Sequence, residues 1–134
     1  MRKKISRIAF ALIMILLMVS CKNTKQKLQE FVTTYNASAA NFKADNVTLT
    51  TARGYINDNK IELRFETGLE LNEANKVKAN TDFPALLKDL INKDQNLKEL
   101  IDEGVEFHAY YLANDNTVLL KEIVNKQTVS DLLK

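Results

Sequence analysis

The chain has 134 residues and a formal net charge of +2, with one histidine, one cysteine, no tryptophan, three glycines and one proline. This length accommodates one small domain. A lone cysteine excludes an internal disulfide, one histidine and one cysteine exclude the familiar zinc ligand sets, and Gly54, Gly68 and Gly104 lie too far apart for a glycine-rich phosphate loop.

Residues 1–21 read MRKKISRIAFALIMILLMVSC. A basic start leads into an unbroken apolar run of 12 residues, Ile8 to Val19. That length fits the core of an export signal, whereas a bilayer-spanning helix needs roughly 20 residues. Leu17-Met18-Val19-Ser20-Cys21 resembles a bacterial lipobox, and with Lys22 it is similar to the signals of Bacteroidetes-type lipoproteins. The resemblance covers only the first sixth of the chain. It implies cleavage between Ser20 and Cys21, a diacylglycerol on the Cys21 thiol and an amide-linked acyl chain, such as palmitate, on the new N-terminus. Physical chemistry points the same way, because an odd cysteine in an exported protein needs an explanation. At about 0.8 kcal/mol per buried methylene, two or three chains hold firmly where one is marginal. An ordinary secretory signal that happens to end in cysteine, or an uncleaved anchor, are the other readings. No aspartate follows Cys21 and no acidic stretch lies between Asn23 and Lys27. By the same resemblance, that implies an outer-membrane anchor facing the periplasm.

Four of the 19 Lys/Arg residues and none of the 17 Asp/Glu residues fall in 1–20, so 15 basic residues face 17 acidic ones beyond, a net charge of −2. Together with an exported address, this argues against a nucleic-acid partner. The domain organisation expected is a signal peptide at 1–20, a lipidated cysteine and tether at 21–27, and one domain at 28–134.

Helical spacing of Leu28, Phe31, Val32, Tyr35, Ala39 and Phe42 predicts an amphipathic helix over about 25–44. Val47, Leu49, Thr51, Arg53 and Tyr55 then share one face of an extended segment. After Asn57-Asp58-Asn59, apolar Ile61, Leu63 and Phe65 alternate with charged Glu62, Arg64 and Glu66, the pattern of a half-buried strand. Alternation fades through Leu69 and Leu71. Residues 72–80 fit a loop or a short helix equally. Thr81 or Asp82 can cap a helix with Pro84 in its first turn and a stripe of Phe83, Leu86, Leu87, Leu90 and Ile91. A break is expected near 92–95, with Asp94 capping a further helix that carries Leu97, Leu100 and Ile101 and stops at Gly104. A second hairpin runs from Val105 to Leu112, turns at Asn114-Asp115-Asn116 and returns from Thr117 to Val124. Thr128 can cap a last short helix.

The fold class expected is α+β: a four-stranded antiparallel sheet built from two hairpins, with amphipathic helices on one face. The repeated Asn-Asp-Asn turn, 57 residues apart in GYINDNKIEL and YLANDNTVLL, makes an α-β-β duplication a possibility. Asn and Asp are also favoured in any hairpin turn.

No motif in 28–134 carries chemistry above background. His108 shares a strand face with Tyr110 and Leu112, without the orienting partner and nucleophile a general base needs. The Asn-Asp-Asn turns lack the glycine and the set of oxygens of a calcium loop. No catalytic, cofactor or metal residue is assigned. The reading is a lipid-anchored domain that acts by binding or assembly with an envelope protein or other envelope ligand. An enzyme relying on carboxylates such as Glu62 and Glu66, or an inhibitor or immunity protein, are its rivals.

Overall fold

The computed structural model describes residues 23–134. Ser20 and Cys21, with the rest of the signal segment, lie outside the described residues. Helix α1 (Thr24–Ala37) begins inside the segment expected to be tether. A reciprocal cap starts it: the Asn23 side chain accepts from the Gln26 amide at 2.9 Å, and the Asn23 amide donates to the Gln26 side chain at 3.3 Å. The helix buries Leu28, Phe31 and Tyr35. It ends earlier than periodicity predicts. Ser38 takes the C-cap, and Ala39–Asn41 form a single 3-10 turn. Phe42 therefore leaves in an extended conformation and reaches the core sideways, 5.8 Å from the Phe65 ring.

Strands β1 (Val47–Tyr55), β2 (Lys60–Thr67), β3 (Glu106–Leu112) and β4 (Val118–Val124) make one sheet in the order β1-β2-β3-β4. Both expected hairpins are present and antiparallel. The all-antiparallel expectation is corrected at the centre, where β2 and β3 run parallel from Lys60↔Glu106 to Glu66↔Leu112. A parallel pair needs a crossover, supplied by α2 (Glu73–Lys93) and the shorter α3 (Gln95–Asp102). Asn59 and Asn116, closing the two Asn-Asp-Asn turns, both adopt left-handed backbone, at φ 53° and 67°. The parallel pair puts these turns at opposite ends of the sheet, and the two halves do not hold equivalent places in it.

Helix α2 starts nine residues before the expected cap. Asn72 caps it, accepting from the Asn75 amide at 2.8 Å. Ala79 extends the Phe83, Leu87, Ile91 stripe back by one turn. Pro84 thus sits in the helix interior, and the carbonyl it leaves without its helical donor belongs to Asn80, an exposed position. Thr81 and Asp82 cap nothing. Asp94 caps α3 as expected, accepting from the Asn96 and Leu97 amides at 3.0 and 3.2 Å. Gly104, at φ 97°, closes α3 with paired bonds, Val105 N–H to Leu100 O at 2.9 Å and Gly104 N–H to Ile101 O at 3.0 Å. Thr128 precedes α4 (Val129–Leu132) but makes no side-chain cap; its hydroxyl donates instead to the Ile123 carbonyl at 2.8 Å.

The helices share one face of the sheet. Against them lie Thr50 and Ala52 of β1, Ile61, Leu63, Phe65 and Thr67 of β2, Phe107, Ala109 and Tyr111 of β3, and Leu119 and Val124 of β4, all buried. Small residues line β1 because α1 packs close. A Cβ on Gly54 would stand 2.9 Å from Leu28 Cδ2 and 3.3 Å from Val32 Cγ2. Asn36 also seals part of this edge: its side chain donates to the Ala52 carbonyl at 2.9 Å and accepts from the Ala52 amide at 2.8 Å, where a further strand would otherwise pair.

The one buried polar link from α1 to the sheet is titratable. Thr50 donates its hydroxyl to the Arg64 carbonyl at 3.0 Å, so the Tyr35 hydroxyl, 2.6 Å from Thr50 Oγ1, is the donor of that pair. Burial pushes the Tyr35 phenol up to about 12, partly offset by the Thr50 bond. The folded chain keeps this proton longer than the unfolded one. Its stabilising contribution is therefore present below pH 10 and lost as pH rises from about 10 to about 12, by an amount on the order of 2–3 kcal/mol. Urea melts across that range should slope more steeply for the wild type than for Tyr35→Phe; parallel slopes would contradict the assignment.

Candidate functional site

Pleating sends the other half of each strand to the uncovered side of the sheet. Register aligns these residues in four rows: Leu49–Glu66–Leu112–Val118, Thr51–Arg64–Tyr110–Lys121, Arg53–Glu62–His108–Ile123 and Tyr55–Lys60–Glu106. Bulges at the ends of β1 and β4 set the first row. The β1 bulge turns Val47 to the helix side while Leu49 keeps the alternation of Thr51, Arg53 and Tyr55; the β4 bulge, at Leu119, brings Val118 beside Leu112, which is itself buried. Five large hydrophobic side chains are exposed among the described residues, and three of them, Leu49, Val118 and Ile123, belong to this face.

Aromatic rings lie under cations at the Tyr55 corner of the face and in its middle, at Tyr110. Lys60 Nζ lies 4.6 Å from the Tyr55 ring centroid, Arg53 Cζ lies 5.3 Å from the same centroid, and Lys121 Nζ lies 5.3 Å from that of Tyr110. The Glu62 carboxylate beside the Tyr55 hydroxyl raises that phenol above its ordinary range, with desolvation adding to it. At the lower end Glu106 accepts from Asn125 Nδ2 at 3.1 Å and faces His108 Nε2 at 3.4 Å. The Asn125 bond, then the His108 contact, hold the Glu106 carboxyl below the usual carboxylate range. His108 is mostly covered, its side chain 15% exposed. Its carboxylate neighbour is a surface partner, and no nucleophile stands opposite it.

Glu62 and Glu66 sit four residues apart on β2, about 13 Å along the strand. That exceeds the separation at which two carboxylates work one glycosidic bond, roughly 5–9.5 Å. Cys21, the expected lipidation site, and Ser20, with it the expected cleavage position, lie outside the described residues. Among those residues, no group of three His, Cys, Asp or Glu side chains is placed to hold a metal ion, and no helix is long and apolar enough to cross a membrane. On the helix side, the groove between α1 and α3 is floored by Phe31, Tyr35 and Leu100. It is bridged by Lys27, whose ammonium meets Glu103 at 2.8 Å and Glu99 at 2.9 Å. Those two carboxylates hold the Lys27 ammonium well above the usual lysine range.

No protein-family model matches the chain, and no curated protein matches its sequence. Among solved structures the chain is similar to the type II secretion system pilotin AspS from Vibrio cholerae, with a TM-score of 0.43 and 10% identity over 77% of this chain and 95% of that chain.

Proposed function

We propose that this chain is a lipid-anchored envelope protein whose domain binds a protein partner through the uncovered face of its sheet. The address rests on the signal layout and Cys21, and the lack of an aspartate or acidic stretch after it supports an outer-membrane anchor facing the periplasm. The observation that supports binding is the make-up of that face. Leu49, Val118 and Ile123 stand exposed on the same face as Tyr55, Tyr110, Arg53 and Arg64. Tyrosine and arginine are the side chains that most often carry interface energy, and apolar groups beside them supply the desolvated surface it needs. The carboxylates on this face alternate with cations, which suits a protein of mixed charge better than a polyanion.

The test is position-dependent crosslinking in intact cells. A photo-crosslinking residue at Tyr110 or Arg64 should capture one discrete partner. The same residue at Thr33 of α1 or Asn92 of α2, both exposed on the helix side, should not. Capture from the helix-side positions alone would refute the reading. Capture confined to Asp58 and Asp115, at the hairpin tips, would favour the inhibitor reading, in which a turn enters the target.

A further inference from the structure

Tyr111 poses a question that the core does not answer. Its side chain is 98% removed from solvent, with 2% relative exposure, and its ring packs against Phe83 at 5.0 Å between centroids. Phenylalanine would pack there equally well. The hydroxyl makes no hydrogen bond within the described residues, yet no polar side-chain atom is sealed off without a partner. The hydroxyl must therefore reach an opening. That opening is a groove of about 380 Å³ between α2 and the turn before β1, with Tyr111 in its lining.

The groove mixes carboxylates with apolar lining. Asp45 comes from the turn before β1, and Asp82 and Asp89 lie two turns apart on α2. Lys78 is the one cation in the lining, and it meets Asp82 only at 3.9 Å. Asp89 is paired outward with Lys93 at 2.9 Å, and Asp45 makes no ion pair among the described residues. Asp45 and Asp82 line the groove together with Tyr111, and after burial their charges hold the phenol above its ordinary range. Ala85 and Leu86, on the α2 face between Asp82 and Asp89, add an aliphatic strip.

We propose that this groove binds a guanidinium or ammonium group on an aliphatic stem. The carboxylates of Asp45 and Asp82 take the charge, the Tyr111 oxygen accepts one N–H, and the stem lies along Ala85 and Leu86. Charge-assisted bonds of this kind are the stronger class, and a planar guanidinium suits carboxylates that approach from different sides. A bare metal ion does not fit, since the carboxylates are not gathered around one point. The site lies on the helix side of the sheet, so it stands or falls independently of the open face. Two sources present this chemistry: a basic side chain of a protein, and a free polyamine.

Titration of the full chain in detergent with N-acetyl-arginine methylamide, with spermidine, and with the neutral citrulline analogue tests the site. Saturable binding of a charged probe that fades with salt, with none for citrulline, is the expected result. The arginine amide binding more tightly assigns the source to a protein side chain; spermidine binding more tightly assigns it to a polyamine. Tyr111→Phe and Asp45→Asn should each weaken the better probe about tenfold, the size of one charge-assisted bond. Tyr111→Phe should leave the urea midpoint unchanged, because the hydroxyl holds nothing in the fold. Absence of saturable binding by either cation would overturn the proposal. So would a Tyr111→Phe chain that loses stability and keeps its affinity.

Discussion

Cys21→Ala is expected to release the protein from membranes altogether. Without the thiol there is no thioether, and the acyl attachments fail together. The energetic gap is wide. Each acyl chain contributes about 0.8 kcal/mol per methylene buried, and two or three chains exceed what any surface contact of a domain this size supplies. The described residues contain no helix able to take over as an anchor. Two measurements check it. Mass spectrometry of the wild type should find Cys21 acylated at a new N-terminus, and carbonate-washed membranes should retain wild type but not Cys21→Ala. An unmodified Cys21 in the wild type would end the lipoprotein reading.

Elements governed by local chemistry were legible in the sequence. Asp94 and Gly104 bound α3 because capping and left-handed closure depend on a few adjacent atoms. The β2 alternation put Ile61, Leu63 and Phe65 against the helices for the same local reason. The parallel centre of the sheet was not legible, and the cause is a helix length. A helix begun at Asp82 spans about 18 Å, too short to carry the chain back along β2, which is about 26 Å long. Begun at Glu73, α2 has 21 residues and spans about 31 Å, so one pass returns the chain to the start of β2 and β3 must run parallel to it. The hidden signal was Ala79, one turn ahead of Phe83, which apolar bulk alone does not reveal. The same displacement concealed the groove. Read as a cap, Asp82 had a complete explanation, and Tyr111 looked like one more core aromatic on the Phe107 face. Only tertiary contact brings Asp45, Asp82 and the Tyr111 hydroxyl together. The open face was half visible: the charged side of β2 and the alternation of Leu49, Thr51, Arg53 and Tyr55 were plain, but one bulge turns Val47 away from that face and another brings Val118 to it.

Phe65→Ala is expected to destabilise the domain by roughly 3–5 kcal/mol. Phe65 is fully buried on an inner strand, and its ring meets Phe42 at 5.8 Å and Phe83 at 5.7 Å. Truncation therefore removes contacts to β2's neighbours, to α2 and to the segment after α1 at once, and a backbone paired on both sides cannot collapse into the space. No disulfide supports the fold, and a domain of this size has about 5–15 kcal/mol in all. His108→Ala on the next strand should be much milder. That side chain points away from the helices and its polar contact is a 3.4 Å approach to Glu106, which keeps its Asn125 bond. Urea melts of residues 22–134 compare the two directly. Wild-type stability in Phe65→Ala would mean that the faces of β2 are inverted, and with them the assignment of the open surface. Loss of partner crosslinking in His108→Ala at unchanged stability would instead move the centre of that surface to the Arg53–Glu62–His108–Ile123 row.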